Sequence, residues 1–374
     1  MPRRSAVKKS PKLSDGAVSA EDLKQQFQKL KLPIQPPFPP MEAKLVDAIP
    51  EGALWQYEPK WDGFRCVAFR DGDTVELQSK AGQPLGRYFP EIVEALLKLK
   101  PTEFVLDGEI VILRNGHLSF DDLLMRIHPA ASRIKKLSVE TPATYLVFDL
   151  LVDDKAHSLV EETQAARRER LELFFKTFKG NASVRLSPMT RDHAEAEKWM
   201  KKLAVIGFDG VVAKALDQPY QSGERAMRKI KRIRTADCVV GGFRYASKGG
   251  EVGSLLLGVY NDEGQLDHIG FSSSFAREER KQLKKILKPY MNGEGFTGKA
   301  PGGPSRWSTE RTGEWERLDP KLVCEVSYDH FSGGRFRHGT KFLRWRPEKE
   351  PKSCTYEQIT PAKQRGSMDQ FLAA

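Results

Sequence analysis

The chain has 374 residues, 30% of them charged and 39% hydrophobic, which is typical of a folded globular protein with two or three domains. Its four cysteines are scattered without paired spacing, so the sequence suggests neither a disulfide framework nor a zinc site. The net charge of +11 suits a polyanion partner as well as simple solubility, and no apolar run approaches the roughly 20 residues that span a bilayer.

The first 40 residues carry eight Lys and Arg against three Asp and Glu. Residues 1–18 have too few apolar groups to fold and are predicted to form a flexible basic tail. Segment 19–40 begins with a capping-box pattern and has apolar residues at helical spacing, which predicts a short helix over 20–31. The proline-rich stretch 33–40 then leads, extended, into the main domain.

Residues 41–236 alternate strand-like and helical segments, which predicts an α+β domain built on antiparallel sheets. The predicted strands are 64–69, 104–113, 145–151 and 208–214. The predicted helices lie near 90–99, 160–178 and 192–204.

Residues 237–350 have a different pattern, with short strands separated by glycine-rich turns. The strands are expected at 238–243, 254–260, 268–271 and 323–328, with one helix over 276–288. This arrangement fits an OB-fold β-barrel, although periodicity alone leaves another small barrel open. Residues 351–374 form a C-terminal tail.

The run EPKWDGFR at 58–65 contains the strongest candidate for chemistry. Lys60 is a nucleophile if its amine is neutralised by desolvation or by cationic neighbours. If the stretch is extended, Asp62 lies on the same side and orients the amine, and the forked donors of Arg65 suit ribose or phosphate oxygens. The alternative is an ordinary turn with two surface cations.

Two carboxylates occur in very apolar strands, Glu109 in LDGEIV and Asp209 in GFDGVV. Burying a carboxylate is costly unless it is paired or bound to metal, and Mg²⁺ prefers oxygen ligands shared with substrate phosphates. Both are therefore predicted to bind metal or ribose. The alternative is that they end strands at exposed edges.

An aromatic residue and two lysines complete the set. Phe148 lies in an apolar strand, where it is either core or a stacking surface for a base. Lys229 and Lys231 share one face of a strand by period two, which suits a triphosphate but also a basic edge strand.

In chain order these runs resemble motifs I, III, IIIa, IV, V and VI of the covalent nucleotidyltransferases. The remaining members are LVFDL at 146–150, FDGVVAK at 208–214, KIK at 229–231 and LRWRPEK at 343–349. More narrowly, the chain resembles the ATP-dependent DNA ligases, and among them the small bacterial repair ligases called ligase C, which are related to the ligase module of ligase D.

The resemblance implies roles for the residues nearest the nucleotide. Lys60 would be the adenylated lysine, and Glu58 would read the adenine amino group. Arg65 and Glu109 would contact the ribose, while Phe148 would stack on the base.

It also implies roles around the phosphates. Lys229 and Lys231 would contact the α-phosphate, and Glu109 with Asp209 would hold Mg²⁺ or Mn²⁺. Arg346 and Lys349 would orient the leaving pyrophosphate from the OB-fold domain.

Two positions depart from the family pattern. Asp209 stands where motif IV usually has glutamate, so its metal contact would pass through water. Lys80 replaces an arginine often found after motif I, which weakens its assignment as a contact for the 5′-phosphate.

The implied activity is ATP-dependent sealing of nicked double-stranded DNA in three displacements at phosphorus. Motif VI would approach ATP in the first step and withdraw afterwards, by a swing about a hinge near 235–237. The alternatives are an RNA ligase, an mRNA guanylyltransferase or a non-catalytic nucleic-acid-binding protein.

The two ends of the chain suggest further partners. The basic tail would add to the grip on DNA through Arg3, Arg4, Lys8 and Lys9. The segment 367–372 loosely resembles a peptide that binds a sliding clamp, but a frayed tail fits better because the expected leading glutamine is displaced. We expect a monomer in the cytoplasm, associated with the bacterial nucleoid.

Overall fold

A computed structural model describes residues 23–202, 209–246, 250–275, 277–302, 314–337, 339–359 and 371–372. The strands of its N-terminal part are β1 (Ala43–Leu45), β2 (Trp55–Lys60), β3 (Phe64–Asp71), β4 (Thr74–Ser79), β5 (Glu103–Arg114), β6 (His117–Leu118), β7 (Ala143–Val152), β8 (Val184–Leu186), β9 (Gly210–Ala215) and β10 (Met227–Lys231). The helices are α1 (Pro90–Leu97), α2 (Phe120–Arg126), α3 (Ala131–Glu140), α4 (Gln164–Phe178) and α5 (His193–Lys202).

These strands form two sheets. The larger has the order β4-β3-β5-β7-β8, with β6 beside β5, and the smaller has the order β1-β10-β9-β2. Pairing is antiparallel, as predicted, except that β7 with β8 and β1 with β10 are parallel.

Period-two alternation gives the larger sheet two different faces. On β3, Cys66 and Ala68 pack with α1 and α4 on one side, whereas Val67 and Phe69 point to the other side. On β5 the second side carries Asp107 and Glu109. Because the smaller sheet covers this second side, polar residues on it are enclosed between two sheets.

The predicted helix over 20–31 is wrong in its C-terminal half. Helical structure among the described residues of this segment is confined to 23–24. Beyond it Leu30, Leu32 and Ile34 are buried at alternate positions against the larger sheet. The backbone is held by side chains of that sheet, for example Phe38 N donating to Gln78 Oε1 at 2.7 Å, so an extended path replaces the helix.

The C-terminal part contains β11 (Arg234–Tyr245), β12 (Val252–Tyr260), β13 (Leu266–Ser272), β14 (Glu316–Arg317), β15 (Val323–Tyr328), β16 (Phe331–Ser332), β17 (Arg335–Phe336) and β18 (Lys341–Trp345), with the helix α6 (Arg277–Leu287). Its main sheet has the order β13-β12-β11-β15-β18, antiparallel throughout. This sheet and α6 share one apolar core, as expected for the small barrel.

A short connection and one hairpin are among the places where the two parts meet. Only Arg232 and Ile233 separate β10 from β11. The hairpin 329–337, which contains β16 and β17, reaches back to the N-terminal part, where Ser332 Oγ lies 3.3 Å from Asp121 Oδ1. In the described part of the chain no helix is both long enough and apolar enough to cross a membrane.

Candidate active site

A cavity of about 190 Å³ opens between the two sheets of the N-terminal part. Strands β2, β9 and β10 form one wall, and β3, β5 and β7 form the other. Seven of the predicted site residues line it: Glu58, Lys60, Arg65, Lys80, Glu109, Phe148 and Lys229. Residues that are distant in sequence thus share one concave surface.

Lys60 is the last residue of β2, and its side chain is 20% exposed at the cavity floor. Its Nζ contacts the Asp209 carboxylate. Asp209 precedes Gly210, which has a φ of +150° and lies so close to the backbone of Ile230 that a Cβ would collide with the Ile230 carbonyl oxygen. The glycine therefore lets Asp209 lie beside Lys60.

Asp209 is enclosed by positive charge. Burial alone would raise its pKa, but contacts with His330 and Lys60 hold the pKa well below its usual range. His330 Nε2 lies 2.7 Å from Asp209 Oδ1, and Lys231 Nζ lies 3.8 Å from Oδ2. This carboxylate is therefore ionised and fully engaged in the described arrangement.

Glu109 is the opposite case. Burial raises its pKa to about 7, and the nearby charges of Arg65 and Lys60 only partly counter that effect. A carboxylate this poorly solvated is suited to a cation or to a hydroxyl donor in the cavity.

Arg65 is fixed by a bidentate contact. Its Nε and Nη2 both donate to the Asp107 carboxylate at 2.6 Å, and Tyr220 Oη donates to the same carboxylate at 2.6 Å. The guanidinium also lies 4.5 Å from the centre of the Phe148 ring. Arg65 is thus pre-positioned at the cavity wall.

The end of the cavity near Phe148 contains a second ion pair. Lys214 Nζ lies 2.9 Å from Glu58 Oε2 and 4.6 Å from the centre of the Phe148 ring. Gln56 Nε2 donates to Glu58 Oε1 at 2.7 Å. Glu58 and Lys214 are both almost fully buried, so Glu58 is held rigidly beside the aromatic ring.

The two lysines of β10 have different environments. Burial and the neighbouring charge of Lys60 lower the pKa of Lys229, which lines the cavity. Burial would also lower the pKa of Lys231, but the pKa is raised because Asp329 lies 2.7 Å from its Nζ. Lys231 is therefore held by the hairpin 329–337.

Asp62 does not lie where an extended strand would place it. β2 ends at Lys60 and β3 begins at Phe64, so Asp62 is in the connection between them. Both of its carboxylate oxygens accept from Arg337 Nη1, at 2.9 and 3.0 Å. In the described arrangement Asp62 therefore binds the hairpin and not the Lys60 amine, the partner predicted from the sequence.

Arg346 and Lys349 are not brought to the cavity. Arg346 Nη1 lies 3.0 Å from Asp237 and 3.2 Å from Glu325, and Lys349 Nζ lies 3.5 Å from Asp237. Both cations thus lie at the start of the barrel sheet. Their predicted contact with pyrophosphate requires another arrangement of the two parts.

The predicted DNA contacts are placed only in part. Lys80 lies at the cavity mouth, 59% exposed, with its Nζ 2.8 Å from Glu42. The basic residues predicted to bind DNA through the N-terminal tail lie outside the described residues: Arg3, Arg4, Lys8 and Lys9.

Five side chains in or around the site were missed by the sequence reasoning: Asp107, Lys214, Tyr220, His330 and Arg337. Asp107 and Lys214 were within quoted motifs, where their burial in apolar strands was the available signal. Tyr220 and the hairpin residues had no such signal, because they reach the site only through tertiary contacts.

The carboxylates of the site fit a divalent cation only in part. Among the described residues no group of three His, Cys, Asp or Glu forms a ready metal site. Glu109 offers a desolvated carboxylate, whereas Asp209 already contacts Lys60 and His330. This donor set suits Mg²⁺ carried by substrate phosphates and one or two carboxylates, not a protein-only cage.

Comparison with known families gives two matches. The family model described as the ATP dependent DNA ligase domain matches residues 40–231. The model described as the ATP dependent DNA ligase C terminal region matches residues 248–349.

Individual proteins agree with the family matches. The chain is 44% identical over 341 residues to DNA ligase C1 of Mycolicibacterium smegmatis, with 88% of this chain and 96% of that protein covered. It is 41% identical over 349 residues to DNA ligase C of Mycobacterium tuberculosis, with the same coverage. A solved Lig E DNA ligase has the same fold, with a TM-score of 0.51 at 16% identity over 82% of this chain and 99% of that one.

Proposed function

Because the chain belongs to the ATP-dependent DNA ligase family, we propose that it seals nicked double-stranded DNA through a lysyl-AMP formed on Lys60. The main support is the position of the Lys60 amine, which ends in a cavity between an aromatic wall at Phe148 and a cationic wall at Lys229. A nucleoside and its α-phosphate match these two walls. The architecture is an α+β nucleotidyltransferase domain followed by an OB-fold domain. We propose boundaries of 41–236 and 237–359 for them, the second extending past the predicted 350 because Ile359 is buried in its core.

Lys60 takes part in the first two displacements. Its neutral amine forms a bond to the α-phosphorus of ATP, the bond to pyrophosphate breaks, and the amine proton passes to solvent. An oxygen of the 5′-phosphate at the nick next displaces Lys60 from AMP. The 3′-hydroxyl then attacks that 5′-phosphorus and releases AMP.

The other cavity residues position the nucleotide. Phe148 stacks on the adenine, Glu58 accepts from its amino group, and Lys214 holds Glu58 in place. Arg65 contacts the ribose while Asp107 fixes the guanidinium. Lys229 neutralises the α-phosphate in the first step.

A divalent cation such as Mg²⁺ or Mn²⁺ would neutralise charge on the phosphate oxygens. Glu109 would be its carboxylate ligand, and Asp209 would be a second one if its contact with His330 were released. The Asp209 side chain is one methylene shorter than the glutamate of related enzymes, which suits a contact through water.

Motif VI acts from a second arrangement of the domains. Arg346 and Lys349 leave Asp237, approach ATP for the first step and return to Asp237 when DNA is bound. We place the hinge at the short connection of Arg232 and Ile233 and not at the predicted 235–237, which lies within β11.

The cellular role proposed is DNA repair. This role is supported by a similar protein from M. smegmatis, named as the multifunctional non-homologous end joining protein LigD. It is 29% identical over 81% of this chain. Lys80 is proposed to contact the 5′-phosphate and the basic N-terminal tail to contact the DNA backbone, in a monomer located in the cytoplasm and nucleoid.

Incubation with ATP labelled in its α-phosphate tests the proposal. The unaltered protein should retain label in denaturing conditions and seal a nicked duplex, whereas Lys60→Ala should do neither. Lys44→Ala, which removes an exposed lysine of β1, serves as the control. Label on Lys60→Ala would reject the nucleophile, and stable transfer of GMP from labelled GTP would reject the adenine-specific site.

A further inference from the structure

The C-terminal residues Phe371 and Leu372 lie against the adenylation domain, although they follow the OB-fold domain in the chain. The Phe371 ring packs edge to face on Trp199 of α5, with ring centroids 5.6 Å apart and planes at 85°. Leu372 packs on the same apolar cluster, and both residues are partly buried. The end of the chain thus contacts a domain other than the one that precedes it.

The surface on α5 is apolar and well supported. Trp199 is 8% exposed, and its Nε1 donates to Glu195 Oε1 at 3.1 Å, so the indole is oriented from within the helix. Met200 beside it is partly buried in the same cluster. α5 itself packs on β2 and β9, and β2 carries Lys60.

The contact joins two domains through a defined length of chain. Ile359 is 3% exposed in the core of the OB-fold domain, and Phe371 follows twelve residues later. Twelve residues reach at most about 40 Å when fully extended. A docked chain end therefore limits how far the OB-fold domain moves from the adenylation domain.

We propose that the apolar surface at Trp199 and Met200 is a docking site for the chain's own C-terminus, which tethers the OB-fold domain. Docking favours the arrangement in which the hairpin 329–337 contacts Asp62 and Asp209, since that arrangement is present when Phe371 is docked. Two apolar side chains are few for capturing a separate protein. They suffice for a segment of the same chain, whose effective concentration is in the millimolar range.

Hydrogen exchange on the full-length protein tests the docking site. Phe371→Glu combined with Leu372→Glu places two charges on the apolar surface without altering either domain core. Amide exchange in α5 should then quicken about three- to tenfold, the range that one aromatic pair accounts for. Gln370→Ala, the adjacent polar substitution, should leave exchange unchanged. The docking site would be overturned if α5 exchanged equally fast in the unaltered protein, the double variant and Gln370→Ala. It would also be overturned if Gln370→Ala quickened exchange as much as the double variant does.

A second measurement tests the tether. An interdomain distance distribution between spin labels on α5 and on the OB-fold domain should broaden in the Phe371→Glu, Leu372→Glu protein and not in Gln370→Ala. An unchanged distribution would overturn the tether. Both measurements are made without ATP or DNA, so they remain interpretable even if the proposed ligase activity fails its own test.

A kinetic readout, which does rest on the proposed ligase function, is expected to follow. Transfer of AMP from ATP to Lys60 should be faster in the double variant, because motif VI is freer to leave Asp237. A slower transfer would contradict the proposed effect of the tether on the domain swing.

Discussion

The charged side chains of the site differ in how far neighbouring charges compensate for their burial. For Glu109 the charges of Arg65 and Lys60 compensate only in part. Its pKa of about 7 means that the folded protein binds the Glu109 proton more tightly than the unfolded chain does. Stability contributed by the neutral carboxyl is therefore present at low pH and is lost as the pH rises through about 7. At higher pH, Glu109 therefore lowers the free energy of unfolding of the substrate-free enzyme, although its position suits contact with substrate.

Glu109→Gln should be more stable than the unaltered protein at pH 8, by about 2 kcal/mol, and equally stable at pH 4.5. The amide stays neutral over this range, whereas Glu109 ionises without enough solvation. Urea unfolding at both pH values measures the difference. Glu76→Gln on β4 is the control, because the pKa of Glu76 is also raised and this residue is remote from the cavity. Glu109→Gln should lose AMP transfer, whereas Glu76→Gln should retain it. Equal stability at pH 8 would show that Glu109 is solvated.

Much of the candidate site was predictable from sequence because its residues lie in apolar, strand-like runs that resemble the family motifs. Glu58, Lys60, Glu109 and Phe148 all line one cavity, and each occurs in a run whose neighbours are buried. Lys214 was overlooked although it ends such a run. Its ion pair with Glu58 depends on the pairing of β2 with β9, which the sequence does not specify.

At the scale of elements, regular segments were predictable and connections were not. The predicted strand 104–113 is observed as Glu103–Arg114, and the predicted helix near 160–178 as Gln164–Phe178. The helix over 20–31 failed because Leu30 fits helical spacing from Leu23 and Phe27 as well as the alternate spacing with Leu32 and Ile34 that the structure uses. Tertiary contacts with the larger sheet decided between them.

The hairpin 329–337 has no strong sequence pattern, yet it makes the closest interdomain contacts. Besides its contact with Asp62, Arg337 stacks 3.9 Å from the centre of the Phe120 ring. Asp329 and His330 bind Lys231 and Asp209. The hairpin thus neutralises the same groups that would bind metal and phosphate in the first step.

Arg337→Ala should slow sealing by pre-adenylated enzyme about tenfold, since a paired and mostly buried charged hydrogen bond is lost. AMP transfer from ATP should be no slower, because losing the contact between Arg337 and Asp62 weakens the arrangement that keeps motif VI at Asp237. Single-turnover kinetics on a nicked duplex separates the two rates. Arg335→Ala, an exposed arginine of the same hairpin, should alter neither. An equal loss in both steps for Arg337→Ala would indicate a general structural defect.

At the scale of the whole molecule, the proposed mechanism requires two parts of the OB-fold domain to act near Lys60 in turn. In the described arrangement the hairpin contacts Asp62 and Asp209, while Arg346 and Lys349 are bound to Asp237. We propose that a rotation about the connection between β10 and β11 exchanges the hairpin for Arg346 and Lys349, so that one cavity would serve successive steps.

Locking this arrangement should therefore stop the first step alone. Ser332→Cys with Asp121→Cys replaces two facing side chains, 3.3 Å apart in their nearest atoms, that lie outside the nucleotide cavity. Cross-linking them should abolish AMP transfer from ATP, and also its reversal by pyrophosphate, because motif VI stays at Asp237. Reduction should restore both reactions. The native cysteines are buried, so unaltered protein treated with the same oxidant is the control, and each single cysteine variant controls for the substitutions. The contrary outcome is that cross-linked protein transfers AMP as fast as the same protein after reduction of the disulfide. The first step would then occur in the described arrangement, and motif VI would have no part in it.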